Sequence, residues 1–175
     1  FARDFHKRFL SLLSYDFKTF TTVQALSIIE SAKKADDLSS DNGNSITQLT
    51  KTQLDDLFSP FDLKRLDSYA NNLLDYHVIV DMVPMLALLY FGGKMSSTVH
   101  LSSVQNAILL AIGLQRKSID DITKELNLPS NQTIAMFAKI IRKMSVYFRE
   151  VISEAIEETL PTEMLVDETI AEMNG

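Results

Sequence analysis

Apolar side chains recur at helical spacing through most of this chain. Phe5, Phe9, Leu12 and Leu13 share one side of a helical projection, with Arg3, Lys7 and Arg8 around the other, which predicts an amphipathic helix over residues 2–14. A second helix is predicted to start near Thr22, a good N-cap, and to present Val23, Ala25, Leu26 and Ile29. After Ala32 the pattern stops. Residues 33–50, KKADDLSSDNGNSITQLT, are rich in Lys, Asp, Ser and Asn and carry the turn signal Asn42-Gly43, so they are expected to form a mobile loop.

Helical pattern returns with Thr50 as cap and Leu54, Leu57 and Phe58 on one side, and Pro60 then turns a corner. From Asp62, the residues Leu63, Leu66, Leu73 and Leu74 with Tyr69 and Tyr76 predict a long helix reaching as far as Tyr90. Pro84 is expected to kink or divide it, and Gly92 and Gly93 to end it. Ser102 followed by Gln105 is a capping-box pattern opening the apolar helix NAILLAIGL. Ser118 caps a short helix, DDITKEL, that stops at Asn127, and Ser130 caps a long helix expected to reach Glu158, roughly 42 Å at ~1.5 Å per residue. Three helices with a short middle one outline a helix-turn-helix. Residues 159–175 contain Pro161 and many acids and are expected to be an extended or weakly helical tail. The expected fold is therefore all-α, a multi-helix domain with a helix-turn-helix-like C-terminal unit ending in a long helix. Its expected divisions are residues 1–32, 33–50, 51–158 and 159–175.

Composition agrees with this outline. Five Gly and four Pro are too few for the turns of a sandwich or barrel. With 46% apolar and 23% charged residues, general disorder is not expected. The absence of Cys removes disulfides, thiolate nucleophiles and Cys-type zinc sites. The apolar stretches from Val78 to Phe91 and Ala107 to Leu114 fall short of the roughly 18 residues a membrane span needs, so no membrane span is predicted. Opening on Phe1 inside an amphipathic pattern, the chain reads as a piece of a longer protein.

Charge changes the picture most. The net charge of −6 argues against a nucleic-acid partner, yet residues 150–175 hold eight acids and no Lys or Arg, leaving the rest with 17 basic against 15 acidic side chains. On the long helix, Phe137, Ile140, Ile141, Met144, Phe148, Val151, Ile152 and Ala155 fall in one sector. Lys139, Arg142, Lys143 and Arg149 fall opposite them. Such a stripe suits phosphate contacts, each of which releases a counterion; an ordinary solvated helix face is the competing reading. Arg116 and Lys117, before the short helix, are candidates to extend the patch, diluted by Asp120, Asp121 and Glu125. Catalytic and metal motifs are lacking. His6, His77 and His100 have no metal-ligand spacing, His77 and Asp81 read as a helical ion pair, and no Gly-rich phosphate loop is present.

Longer blocks carry a resemblance. SPFDLKRLDSYANNLLDYHVIVDMVP, then LSSVQNAILLAIGLQRKSIDDITKELNLPSNQTIAMFAKIIRKMSVYFREV and EAIEE, resemble the C-terminal tail region of eukaryotic RNA cytidine acetyltransferases. FHKRFLSLLSYDFKTF resembles the stretch after their acetyltransferase domain, so residues 1–32 would be helices following that domain. The resemblance implies a parent enzyme that uses acetyl-CoA and ATP to form N4-acetylcytidine in small-subunit rRNA and in tRNA, in the nucleus and nucleolus. It implies a non-catalytic tail that binds rRNA and tRNA within the pre-ribosomal small-subunit assembly, with no cofactor in this segment. Arg142 and Lys143, within IIRK, match the basic residues of the family's last long helix. The alternative is a protein-docking or homodimerisation module, and a DNA-reading helix-turn-helix beginning Asn131-Gln132-Thr133 ranks below both.

Overall fold

The computed structural model of the chain describes residues 2–13, 19–39, 48–71, 74–95 and 98–173. Among them there is no strand, and the all-α fold is as expected. Helix α1 is Ala2–Leu12, and Phe9, Leu10 and Leu13 are buried while Phe5 stacks on Phe9 at 6.0 Å between ring centroids. Helix α2 is Thr22–Ser39. Its cap is Thr21, one residue before the predicted Thr22: the Thr21 N–H donates to Gln24 Oε1 (3.1 Å) and the Gln24 N–H to Thr21 Oγ1 (3.3 Å). The helix also outruns Ala32, because Ala and Lys are strong helix formers that outweigh the local competition of Asp and Ser. The expected loop is thus helical over 33–39. Residues 40–47, with the Asn42-Gly43 signal, lie outside the described residues.

Helix α3, Lys51–Leu57, opens with a Thr50/Gln53 capping box, and α4, Pro60–Ala70, opens with Ser59/Asp62 and Pro60 in its first turn. The long helix expected from Asp62 towards Tyr90 does not form. α4 ends at Ala70, where the Asn71 side chain donates to the Asp67 carbonyl (2.9 Å), and two 3₁₀ turns, Tyr76–Val78 and Val80–Met82, lead into α5, Val83–Phe91. Pro84 therefore starts a helix. In the first turn its missing N–H costs no hydrogen bond.

Helix α6, Ser103–Leu109, has the predicted Ser102/Gln105 box and widens into a π turn over Leu110–Leu114. There the Gln115 N–H reaches the Leu110 carbonyl (3.0 Å) and the Lys117 N–H the Ala111 carbonyl (2.9 Å). Gly113 permits this segment to touch α5, since a Cβ there would lie 2.6 Å from Ala87 Cβ and 3.0 Å from the Val83 carbonyl oxygen. Helix α7, Ile119–Leu126, has the Ser118/Asp121 box and stops on Asn127 in the left-handed region (φ 54). Helix α8 is Ser130–Met173, 44 residues or roughly 66 Å at ~1.5 Å per residue. It begins at Ser130, and both the N–H and hydroxyl of buried Thr133 donate to the Pro129 carbonyl (3.0 and 3.2 Å).

Helix continues past Pro161 to Met173, so of the extended or weakly helical alternatives expected after Glu158 the backbone takes the helical one, continuous with α8. Proline removes one intrahelical donor there, but Glu, Met, Leu and Ala around it favour helix. The core gathers α5 and the π turn at its centre, with α8 laid across α4, α6, α7 and α3. No helix among the described residues is long and apolar enough to cross a membrane.

Candidate nucleic-acid interface

One side of α8 is locked into the core over five turns. Phe137, Ile140, Ile141 and Met144 are fully buried, Tyr147, Phe148 and Val151 nearly so, and Phe137 takes the rings of Tyr69 and Tyr76 at 6.0 and 5.4 Å. Thr133, Ser145 and Tyr147, which the apolar pattern left out, are buried with them; the Tyr147 hydroxyl donates to the Lys94 carbonyl (3.0 Å). This burial fixes the helix's rotation. Lys139, Arg142 and Lys143 are consequently held on its exposed side, together with Gln132, Ala135 and Val146.

The six cations singled out in the sequence divide by what they touch. Lys139 is exposed and makes no hydrogen bond or ion pair among the described residues. Arg142 donates from Nε and Nη2 to the Ala70 carbonyl (3.2 and 3.1 Å), closing the C-terminal end of α4, where a cation is favoured by the helix dipole. Lys143 donates to the His100 carbonyl at 2.7 Å. A carbonyl orients a cation without neutralising it. Both side chains therefore keep a full positive charge and unused N–H donors on the surface. Arg149, in contrast, pairs with Asp67, whose same carboxylate oxygen also accepts from the Ser145 hydroxyl (3.3 Å).

Arg116 and Lys117 separate in the same way. Arg116 is exposed at φ 52 in the turn before α7, with no partner among the described residues. Lys117 points inward, its side chain 12% exposed, and donates to Glu125 Oε2 (2.7 Å), the Phe20 carbonyl (3.1 Å) and Thr22 Oγ1 (3.4 Å). Glu125 also accepts from the Thr22 N–H. Burial pushes the Glu125 carboxyl up, but hydrogen bonds from Lys117 and Thr22 outweigh it and hold the group below the ordinary carboxylate range. Lys117 thus ties α7 to the start of α2, a place the sequence did not reveal. Four cations face solvent unneutralised, and two are paired with carboxylates.

The remaining polar groups are structural. The helical pair expected of His77 and Asp81 is absent because those residues lie in separate 3₁₀ turns. Asp81 accepts from Arg65 (3.0 Å), which also binds Asp62 (2.6 Å), and the His77 ring sits edge-on to Tyr76 at 5.3 Å. Burial pushes the Tyr69 phenol up to about 12, and raises Tyr76, Tyr90 and Tyr147 as well, further from neutrality. Among the described residues no group of three or more His, Asp or Glu could hold a metal ion.

Comparison with known proteins places the chain in a family. Residues 1–174 match the family model described as a "possible tRNA binding domain". The chain belongs to this family. It is 74% identical over its whole length to an RNA cytidine acetyltransferase of Saccharomyces cerevisiae, covering 16% of that protein. It is 48% identical over 165 residues to the protein of that name from Schizosaccharomyces pombe and 43% over 160 residues to that from Homo sapiens, covering 91% of the chain and 15% of each relative. The chain spans about one sixth of the length of the first of these relatives. The resemblance to RNA cytidine acetyltransferases noted in the sequence is thereby shown.

Proposed function

We propose that this chain is a non-catalytic helical tail module of an RNA cytidine acetyltransferase, and that it holds rRNA or tRNA through backbone contacts while other modules do the chemistry. In that reading the parent enzyme draws on acetyl-CoA and ATP to acetylate cytidine at N4, and it works in the nucleolus on the small-subunit pre-ribosomal assembly. The observation that carries the proposal is the exposed α8 face, where Lys139, Arg142 and Lys143 keep their charge because no carboxylate among the described residues pairs with them. Rigid spacing on one helix suits a structured RNA backbone, read by shape and phosphate position. Competition of unlabelled tRNA and duplex DNA of equal length against labelled tRNA tests it. Folded RNA should compete better, and the Lys139→Glu/Lys143→Glu variant should bind tRNA at least about tenfold more weakly. Preference for duplex DNA would replace the RNA reading with the DNA-reading one.

A second reading, protein docking or homodimerisation, is favoured by Ile156 and Leu160, about half exposed on the acidic part of α8. Light scattering across a concentration series tests its self-association form, which a constant monomer mass removes.

A further inference from the structure

A cleft of about 200 Å³ opens between α2, the end of α5 and the start of α6. Its floor is apolar, with Ile29, Phe91 and Val99 buried beneath it. Its rim is polar: Glu30, Tyr90 and Asn106 line it, and the Tyr90 hydroxyl donates to Asn106 Oδ1 at 2.7 Å. That bond leaves the two N–H donors of the Asn106 carboxamide unused. The Glu30 carboxylate likewise has no partner among the described residues, so the rim offers a donor and an acceptor beside an aromatic ring.

His100 completes the rim, and its carbonyl is the group that accepts from Lys143. The cleft mouth therefore adjoins the cationic face of α8. A flat, half-polar ligand attached to a phosphate matches this arrangement in each part. Its ring would lie on the apolar floor, its polar edge would meet Asn106 and Glu30, and its phosphate would reach Lys143.

We infer that the cleft takes one unpaired nucleobase from an RNA strand held along α8, preferring bases that carry an exocyclic amine for the Glu30 carboxylate. The inference rests on the RNA-binding reading above and adds a base site to it. A carboxylate beside the ring disfavours uracil, which has carbonyl oxygens where cytosine and adenine carry an amine. Duplex RNA, whose bases are stacked and paired, would engage the α8 face alone.

Fluorescence anisotropy of the full chain with labelled C10, U10 and a 10-base-pair RNA duplex tests this. Leu26→Trp, which fills the mouth from a half-buried position, and Glu30→Ala, on the exposed rim, are the cleft variants. Each should weaken C10 binding and leave the duplex unchanged, Leu26→Trp by at least about fivefold, since stacking one base is worth roughly that or more, and Glu30→Ala through the lost acceptor for the amine. U10 should bind the wild type more weakly than C10. A single 2-aminopurine placed in U10 should change fluorescence on binding wild type and not Leu26→Trp. Lys139→Glu should weaken every RNA alike. If Lys139→Glu weakens all three RNAs while both cleft variants leave C10 and 2-aminopurine unchanged, the base site is overturned and the RNA surface stands. If Lys139→Glu changes none of them, the RNA surface fails and the base site with it.

Discussion

The two halves of α8 have the same backbone and opposite surroundings. From Ser130 to Val151 one side is buried against four other helices, and the exposed side carries Lys139, Arg142 and Lys143. Beyond Val151 no described side chain is fully buried, Ile156 and Leu160 are about half exposed, and every charge in the sequence is negative. Over 152–173 the helix adds roughly 33 Å of length at ~1.5 Å per residue, and over 152–160 it has little of the packing that usually stabilises helices in proteins. Packing is what turns a row of cations into a surface of defined geometry. A continuous helix also carries the acids along the chain away from Lys139 and Lys143, so the negative net charge of the chain does not describe the exposed face of α8 around them.

The contrast can be broken by equal truncations in each half. Ile141→Ala should lower unfolding stability by about 3 kcal/mol, as removal of a fully buried aliphatic side chain does, while Ile156→Ala should change it by less than about 0.5 kcal/mol in urea denaturation. Equal losses would mean that the distal half is packed too. A smaller effect tests a cation whose charge is used inside. Glu125→Gln should cost about 1 kcal/mol at neutral pH, allowing for solvent screening. Because the Glu125 carboxyl is held below its ordinary value, its contribution is complete above about pH 4.5 and is lost as pH falls through the lower folded value, so the variant should show a flatter acid limb in stability against pH.

Freeing a paired cation sharpens the same distinction. Asp67→Asn should leave Arg149 unneutralised and raise tRNA affinity by about two- to fivefold at low salt, measured by anisotropy. The smallest effect is expected of Arg142→Lys, which keeps the charge and loses the two-pronged donation to Ala70. Stability should fall by less than about 1 kcal/mol and tRNA affinity should hardly move.

Much of this was legible in the residues. Capping boxes at Thr50, Ser102 and Ser118 mark helix starts because their hydrogen bonds are local, and the apolar sector of α8 follows from its spacing alone. Two boundaries were not legible for physical reasons. Pro84 reads equally as a breaker within a helix or as an opener of one, and it opens one because α4 has already ended at Ala70 and two 3₁₀ turns intervene. Helix beyond Pro161 likewise runs against the strongest local signal in that stretch. The site divided along a similar line. Periodicity put Lys139, Arg142 and Lys143 on one face, but whether a cation is neutralised depends on partners far away in sequence. Asp67 for Arg149 and the carbonyls of Ala70 and His100 for Arg142 and Lys143 belong to other elements, as does Phe20 for Lys117. The cleft between α2, α5 and α6 likewise exists only after the chain has folded.

The salt dependence of tRNA binding tests most directly whether the unneutralised face of α8 meets phosphates. A plot of log association constant against log salt concentration should lose about 1.5 from its slope in Lys139→Glu/Lys143→Glu, the loss expected for two phosphate contacts. An unchanged slope in that variant, with the fold intact, would contradict the account.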